Sequence, residues 1–131
     1  MKKYFDDSVG TCWFNTWGVP RTISYEPEAI SGATGWDFTS EEMLLVGERL
    51  MNLERVFNVR RGLTPDDDYD VSPRLLEPPP SGRAKGKSIG PHLKGMVMEY
   101  YRLMGWDEKT GKPLRSTLKR VGLEDLIQDI W

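Results

Sequence analysis

The sequence predicts an all-α domain organised around one long helix, and three observations carry that prediction. Residues 36–62, WDFTSEEMLLVGERLMNLERVFNVRRG, hold an unbroken helical periodicity. A second amphipathic stretch follows from Pro91 to Met104, and a third, shorter set of apolar residues closes the chain from Leu114 to Ile130. No run alternates apolar and polar residues as a half-buried strand would; a short ribbon near Lys85 to Ile89 is the one place left for extended pairing.

Residues 1–21 begin with a short basic and aromatic lead, followed by Asp6, Asp7, Ser8, Val9, Gly10, Thr11 and Cys12. A carboxylate, a small glycine-containing turn and a thiol can face one concavity and so suit the edge of a cofactor. From spacing alone the plain reading comes first, in which Asp7 or Ser8 caps a turn and Cys12 is a small buried hydrophobe. Trp13, Phe14 and Trp17 come next, a density of aromatic rings that belongs to a core or an interface. Residues 22–35 read as a short helical turn around Pro27 to Ile30, with Pro27 in the first turn and Gly32 and Gly35 ending it.

The long helix has a specified start. Thr39 can cap it while Glu42 reaches back, and Phe38 can staple onto Met43. Met43, Val46, Leu50, Leu53 and Phe57 form its stripe, and Leu44, Leu45, Met51 and Val56 widen it, so the helix is expected to be buried on several sides. Glu41 and Glu42 suit its positive end, Arg60 and Arg61 its negative end, and Gly62 a left-handed stop. From Ser40 to Arg61 a rise of roughly 1.5 Å per residue gives a rod about 33 Å long.

Thr64 and Pro65 then start a one-turn helix, and Asp66, Asp67 and Asp68 read as its solvated face, since they lack the alternating ligands of a calcium loop. Residues 73–91 are rich in proline and carry Arg83, Lys85 and Lys87 among glycines; they predict extended chain without phosphate-loop spacing. The Pro91 helix presents Leu93, Met96, Val97, Tyr100, Leu103 and Met104 and stops at Gly105, with Gly95 marking a close approach of another helix. His92, the one histidine, lies in its first turn, where exposure is the rule. The tail adds a polar turn at 107–112, a helix over Leu114 to Val121 ended by Gly122, and a last turn to Ile130, whose apolar residues are expected to pack on the long helix.

Composition bounds the function. The 131 residues suit a single domain over 1–131 that can bury roughly two-thirds of its unfolded surface. Eighteen basic and twenty acidic residues leave a net charge of −2, which argues against a nucleic-acid or membrane-surface binder. One cysteine excludes an internal disulfide, and no signal peptide or long apolar span is present, so the chain reads as soluble and cytoplasmic.

Taken together, ATGWDFTSEE, GERLMNLERVFNVRRGLTPDDD, EPPPSGRAKGK, MEYYRLMGWDEKTGKP and LKRVGLEDL resemble, in the same order, the C-terminal part of the aldehyde ferredoxin oxidoreductase family, and the resemblance spans nearly the whole chain from Asp7. These are tungsten or molybdenum pterin enzymes with an iron–sulfur cluster. The family's Asp-x-x-Gly-Leu-Cys segment binds one pterin through its Asp and supplies one ligand of a [4Fe–4S] cluster through its Cys. Asp7, Gly10 and Cys12 match that pattern, and Thr11 departs from it where the family has Leu. The resemblance makes residues 1–21 a cofactor-facing segment and 22–131 a helical body.

Such a cluster takes four thiolates, and this chain has one. The resemblance therefore implies a portion of an oxidoreductase that is inactive alone, holds no cofactor by itself and needs the missing N-terminal domains or a companion subunit. In that enzyme, electrons from aldehyde oxidation pass to ferredoxin. With the covering domains absent, the aromatic segment and part of the long helix are expected to leave an apolar surface and cause self-association. The alternative from another class is a free-standing helical interaction module derived from that domain.

Overall fold

The computed structural model describes residues 1–18 and 20–131. Its elements are α1 (Lys2–Val9), α2 (Trp13–Thr16), α3 (Thr22–Thr34), α4 (Ser40–Arg60), α5 (Pro65–Tyr69), α6 (Pro73–Leu76), α7 (Gly90–Met104), α8 (Arg115–Arg120), a 3-10 turn (Glu124–Leu126) and α9 (Ile127–Ile130). The all-α prediction holds: among the described residues the extended pairing is one isolated antiparallel bridge, Trp106 with Pro113. That bridge lies away from the expected ribbon near Lys85.

Local signals placed the helix ends. The Thr39 N–H donates to Glu42 Oε2 at 2.8 Å and the Glu42 N–H to Thr39 Oγ1 at 3.2 Å, a reciprocal cap at the start of α4. Asp67 does the same service for α5, accepting from the Thr64 N–H at 2.7 Å and its hydroxyl at 2.8 Å. These bonds hold the Glu42 and Asp67 carboxyls below their ordinary pKa values. Gly62, Gly105 and Gly122 all take positive φ, the left-handed stops that their positions predict.

Contacts divide the chain into two compact units, Met1–Glu54 with Arg120–Leu123, and Arg55–Lys119 with Glu124–Trp131. In the first, Phe5, Met43 and Val121 are buried, and Phe5 stacks on Phe38 with ring centroids 5.8 Å apart. Gly47 lies against the chain start: a Cβ there would clash with the Met1 carbonyl oxygen. Glu48 binds the Arg120 guanidinium through both carboxylate oxygens, and Arg49 Nε donates to the Val121 carbonyl at 2.6 Å. In the second unit Val56, Tyr101, Met104, Trp106, Leu118 and Ile130 form the core.

Five local expectations are corrected. Residues 2–9 form a helix instead of leading into a turn, because Lys2–Asp6 and Lys3–Asp7 are i,i+4 ion pairs that support it. Pro27 sits inside a thirteen-residue α3; the Ile23 carbonyl that loses its N–H partner there accepts the Ser40 hydroxyl at 2.9 Å instead. Residues 79–87 fold into tight turns, with Lys85 N–H to Gly82 O, Gly86 N–H to Pro79 O and Lys87 N–H to Ala84 O, since glycines at 82 and 86 with positive φ allow the chain to reverse. Gly95 faces open space, so it marks no helix contact. On α4 the predicted stripe leaves the core towards its end, Leu53 and Phe57 being exposed at 42% and 53%, while Asn52 and Arg55 are buried.

Candidate functional site

The sequence-predicted segment is built on the end of α1. Adjacent residues on a helix point about 100° apart, and here the step separates two neighbouring aspartates. Asp6 is fully buried, whereas Asp7 is exposed and paired with the equally exposed Lys3 at 2.6 Å. A surface pair of that kind contributes little and exchanges readily for another partner. Gly10 ends α1 at φ +76°, where its N–H donates to the Asp6 carbonyl. The same carbonyl accepts the Thr11 N–H at 2.9 Å and the Thr11 hydroxyl at 3.3 Å.

Cys12 follows in extended conformation, φ −85° and ψ 116°, as the residue that opens α2, and it is exposed. The reading of Cys12 as a small buried hydrophobe is therefore excluded. Trp13 stacks on Trp17 at 5.4 Å and meets Phe14 edge-on at 5.3 Å, yet Phe14 and Trp17 remain 77% and 69% exposed. The aromatic cluster is thus a surface of this chain.

Sequence reasoning passed over Asp6. Its carboxylate Oδ2 receives Lys2 Nζ at 2.7 Å, and the same ammonium reaches Thr16 Oγ1 at 2.8 Å and Glu26 Oε1 at 3.0 Å. Burial works against the Lys2 charge, but hydrogen bonds to Asp6 and Glu26 outweigh it and hold the pKa above its ordinary value. Asp6 Oδ1 and Glu26 Oε2 are buried without a protein hydrogen-bond partner. The i,i+4 spacing of Lys2 and Asp6 was the available signal; Thr16 and Glu26 had none.

The second unit holds a polar cluster of its own. Arg55 donates to Asp68 through Nη1 and Nη2 at 3.0 and 2.7 Å, to the Gly111 carbonyl through Nε at 2.8 Å and to Tyr101 Oη at 3.1 Å, while the Tyr101 hydroxyl donates to Asp68. The guanidinium lies 4.6 Å from the Trp106 ring centroid. Asp68 therefore belongs to a partly buried anchor and not to a solvated face, the fate expected for all three aspartates. Burial, with the Asp68 hydrogen bond, pushes the Tyr101 phenol up to about 12. His92 is exposed on the rim of an open groove of about 650 Å³ along α7 that also touches Gly95, Met96 and Leu103.

The donor set tests what this segment can hold. Among the described residues no three His, Cys, Asp or Glu side chains converge on a point suited to a metal ion. A single exposed thiol on a turn fits one ligand of a cluster whose other donors come from elsewhere. An exposed carboxylate tied only to a surface lysine is likewise free to accept hydrogen bonds from an N–H-rich heterocycle.

Comparison with known proteins identifies the family. The family pattern described as aldehyde ferredoxin oxidoreductase, domains 2 & 3, matches residues 1–123. The tungsten-containing aldehyde ferredoxin oxidoreductase of Pyrococcus furiosus is 41% identical over 120 residues, covering 91% of this chain and 19% of that protein. The Thermococcus kodakarensis protein of the same description is 38% identical, covering 92% and 19%. The aliphatic sulfonate oxidoreductase, WOR-like subunit, of Pyrococcus furiosus is 31% identical, covering 96% and 20%. Among solved structures, the active site complex BamBC of benzoyl coenzyme A reductase with 1,5 dienoyl-CoA superposes with a TM-score of 0.71 at 25% identity over 96% of this chain and 18% of that one. The chain thus spans about a fifth of the length of the relatives it matches. No helix among the described residues is long and apolar enough to cross a membrane.

Proposed function

This chain belongs to the aldehyde ferredoxin oxidoreductase family, and on that premise we propose that it forms one wall of a pterin site and donates one thiolate to a [4Fe–4S] cluster, both completed by other parts of a larger enzyme. The observation that carries the proposal is the placement of Cys12: exposed, extended and immediately after the Gly10 stop. A thiol that serves a cluster held mainly by another domain must stand on the surface.

Each residue then has a task. Cys12 would hold one iron of the cluster through Sγ. Asp7, paired here with the exposed Lys3, would accept hydrogen bonds from the N–H-rich edge of a pterin. Gly10 reverses the chain at a φ that side-chain-bearing residues rarely adopt, so that Asp7 and Cys12 belong to one short segment. When bound, the pterin-held tungsten or molybdenum supplies two-electron oxidation of an aldehyde, and the cluster passes single electrons to ferredoxin. The exposed Phe14 and Trp17 form the surface that the rest of the enzyme covers, and the chain in isolation self-associates through them, holds no cofactor and is inactive.

Anaerobic reconstitution tests this reading. Co-expression with the N-terminal region of a family member should yield a stoichiometric cluster, and Cys12→Ser should lose it. A full cluster on this chain alone, or one that survives Cys12→Ser, overturns the proposal. In the chain by itself, native Cys12 should react completely with a thiol reagent.

A further inference from the structure

We propose that Asp6 is the positioning residue for the Cys12 thiol, acting through both its backbone carbonyl and its carboxylate. The inference rests on the reading of Cys12 as a ligand, but its geometry stands independently. On the near side of Cys12, the Asp6 carbonyl gathers the Gly10 N–H, the Thr11 N–H at 2.9 Å and the Thr11 hydroxyl at 3.3 Å. On the far side, the Asp6 carboxylate lies 3.4 Å from the Thr16 hydroxyl on α2, and Lys2 Nζ bridges the two at 2.7 and 2.8 Å. One residue thus holds the backbone that enters Cys12 and the helix that leaves it.

Lys2 extends the clamp to α3 through Glu26 at 3.0 Å. The result is a tie among α1, α2 and α3 whose members leave the thiol itself free: Cys12 is exposed, while Asp6 is fully buried. That division suits a ligand that must be aimed without being occupied. A cluster ligand on a loose turn would have to be ordered when the cluster forms, at a cost in conformational entropy. Here the ordering is built into the chain. The Thr11 hydroxyl adds to the same carbonyl and so tightens the turn. The clamp also explains why a charged pair is spent at this place. Two carboxylates share one ammonium, and Asp6 Oδ1 and Glu26 Oε2 find no protein donor, an arrangement that apolar packing would replace at no loss if holding the fold together were its only role.

Because Cys12 is the one cysteine, a nitroxide label can be attached there alone, and its electron paramagnetic resonance line shape reads the order of the turn. The full chain should give a motionally restricted spectrum. Asp6→Asn and Thr16→Val should both shift it towards the mobile form, Thr16→Ser should restore the restricted form, and Lys3→Gln, which removes the exposed Asp7 pair and the ammonium over the Tyr4 ring but touches no member of the clamp, should leave it unchanged. Tryptophan fluorescence and circular dichroism establish that each variant is folded. Should Asp6→Asn not fold, the Thr16 pair carries the test. A line shape that stays restricted in folded Thr16→Val, or that Thr16→Ser fails to restore, overturns the clamp. Failure of the clamp is distinguishable from failure of the ligand reading: the first is read from the label, the second from a cluster that persists in Cys12→Ser.

Discussion

Two of the buried ionic clusters among the described residues, those around Arg55 and Lys2, are built to different standards. Around Arg55 every partner is matched: the guanidinium serves both oxygens of Asp68, the Gly111 carbonyl and Tyr101, and the Tyr101 hydroxyl closes the loop onto Asp68. Around Lys2 the count is uneven, with two carboxylates to one ammonium and an oxygen of each left without a protein partner. A complete network in a low dielectric reinforces itself, whereas an incomplete one carries the desolvation cost of its orphans. The closed cluster therefore acts as a structural rivet. The open one is tolerated where position matters more than stability, beside the segment that holds Asp7, Gly10 and Cys12.

The largest effect should come from breaking the closed cluster. Arg55→Met leaves the Asp68 carboxylate with the Tyr101 hydroxyl but no counter-charge, takes the Arg55 donor from the buried Gly111 carbonyl, and should cost about 3 kcal/mol in urea unfolding. Gly111→Ala attacks the same cluster sterically: a Cβ would clash with Arg55 Nη2 on a backbone at φ +64°, for an expected loss of about 2 kcal/mol in the same measurement.

The contrast itself is sharpened by the matched pair Asp68→Asn and Asp6→Asn. The first removes the charge that a guanidinium grips with two hydrogen bonds; the second leaves Glu26 as counter-charge and offers an amide N–H in a cluster short of donors. Asp68→Asn should destabilise by about 2 kcal/mol and Asp6→Asn by under about 1 kcal/mol, read from urea midpoints at constant slope. Equal losses would erase the distinction drawn between the clusters.

The smallest effect is the pH dependence of the closed cluster. Tyr101 holds its proton up to about 12 when folded, against an ordinary value near 10. Its contribution is complete below pH ~10 and fades as pH rises from there to about 12, because the unfolded chain then releases the proton first. On the acid side burial would raise the Asp68 pKa, but hydrogen bonds from Arg55 and Tyr101 outweigh it and leave it below the ordinary value. That contribution is present above the ordinary carboxylate range and is lost as pH falls through the lowered folded value. Ultraviolet titration of tyrosine, compared between the parent chain and Tyr101→Phe, checks the alkaline limb.

The legible parts of this fold were those closed within a few residues. Thr39 with Glu42 and Thr64 with Asp67 cap their helices three residues apart, and Gly62, Gly105 and Gly122 stop theirs through backbone freedom alone. The candidate ligands were legible for another reason, an ordered series of blocks shared with a family. Pro27 inside α3 was misread because its compensation, the Ser40 hydroxyl on the Ile23 carbonyl, comes from seventeen residues away. The inner face of α4 was misread because hydrophobic periodicity assigns Leu53 and Phe57 to the core and says nothing of Asn52 and Arg55, whose burial depends on partners that periodicity does not register.

By itself the sequence determined the helical class and the ends of α4, α5 and α7, since these depend on periodicity and on caps within one turn, and its resemblance to a family nominated Asp7, Gly10 and Cys12 as candidates. Tertiary structure alone decided that Asp6 turns inward and Asp7 outward, that Arg55 is riveted to Asp68 and Tyr101, and that Thr16 and Glu26 meet at Lys2. The physical reason is one of range. A cap or a stop is satisfied by its own neighbours, whereas a buried charge is stable only where distant segments deliver its partners, and no single segment carries a record of where the others come to rest.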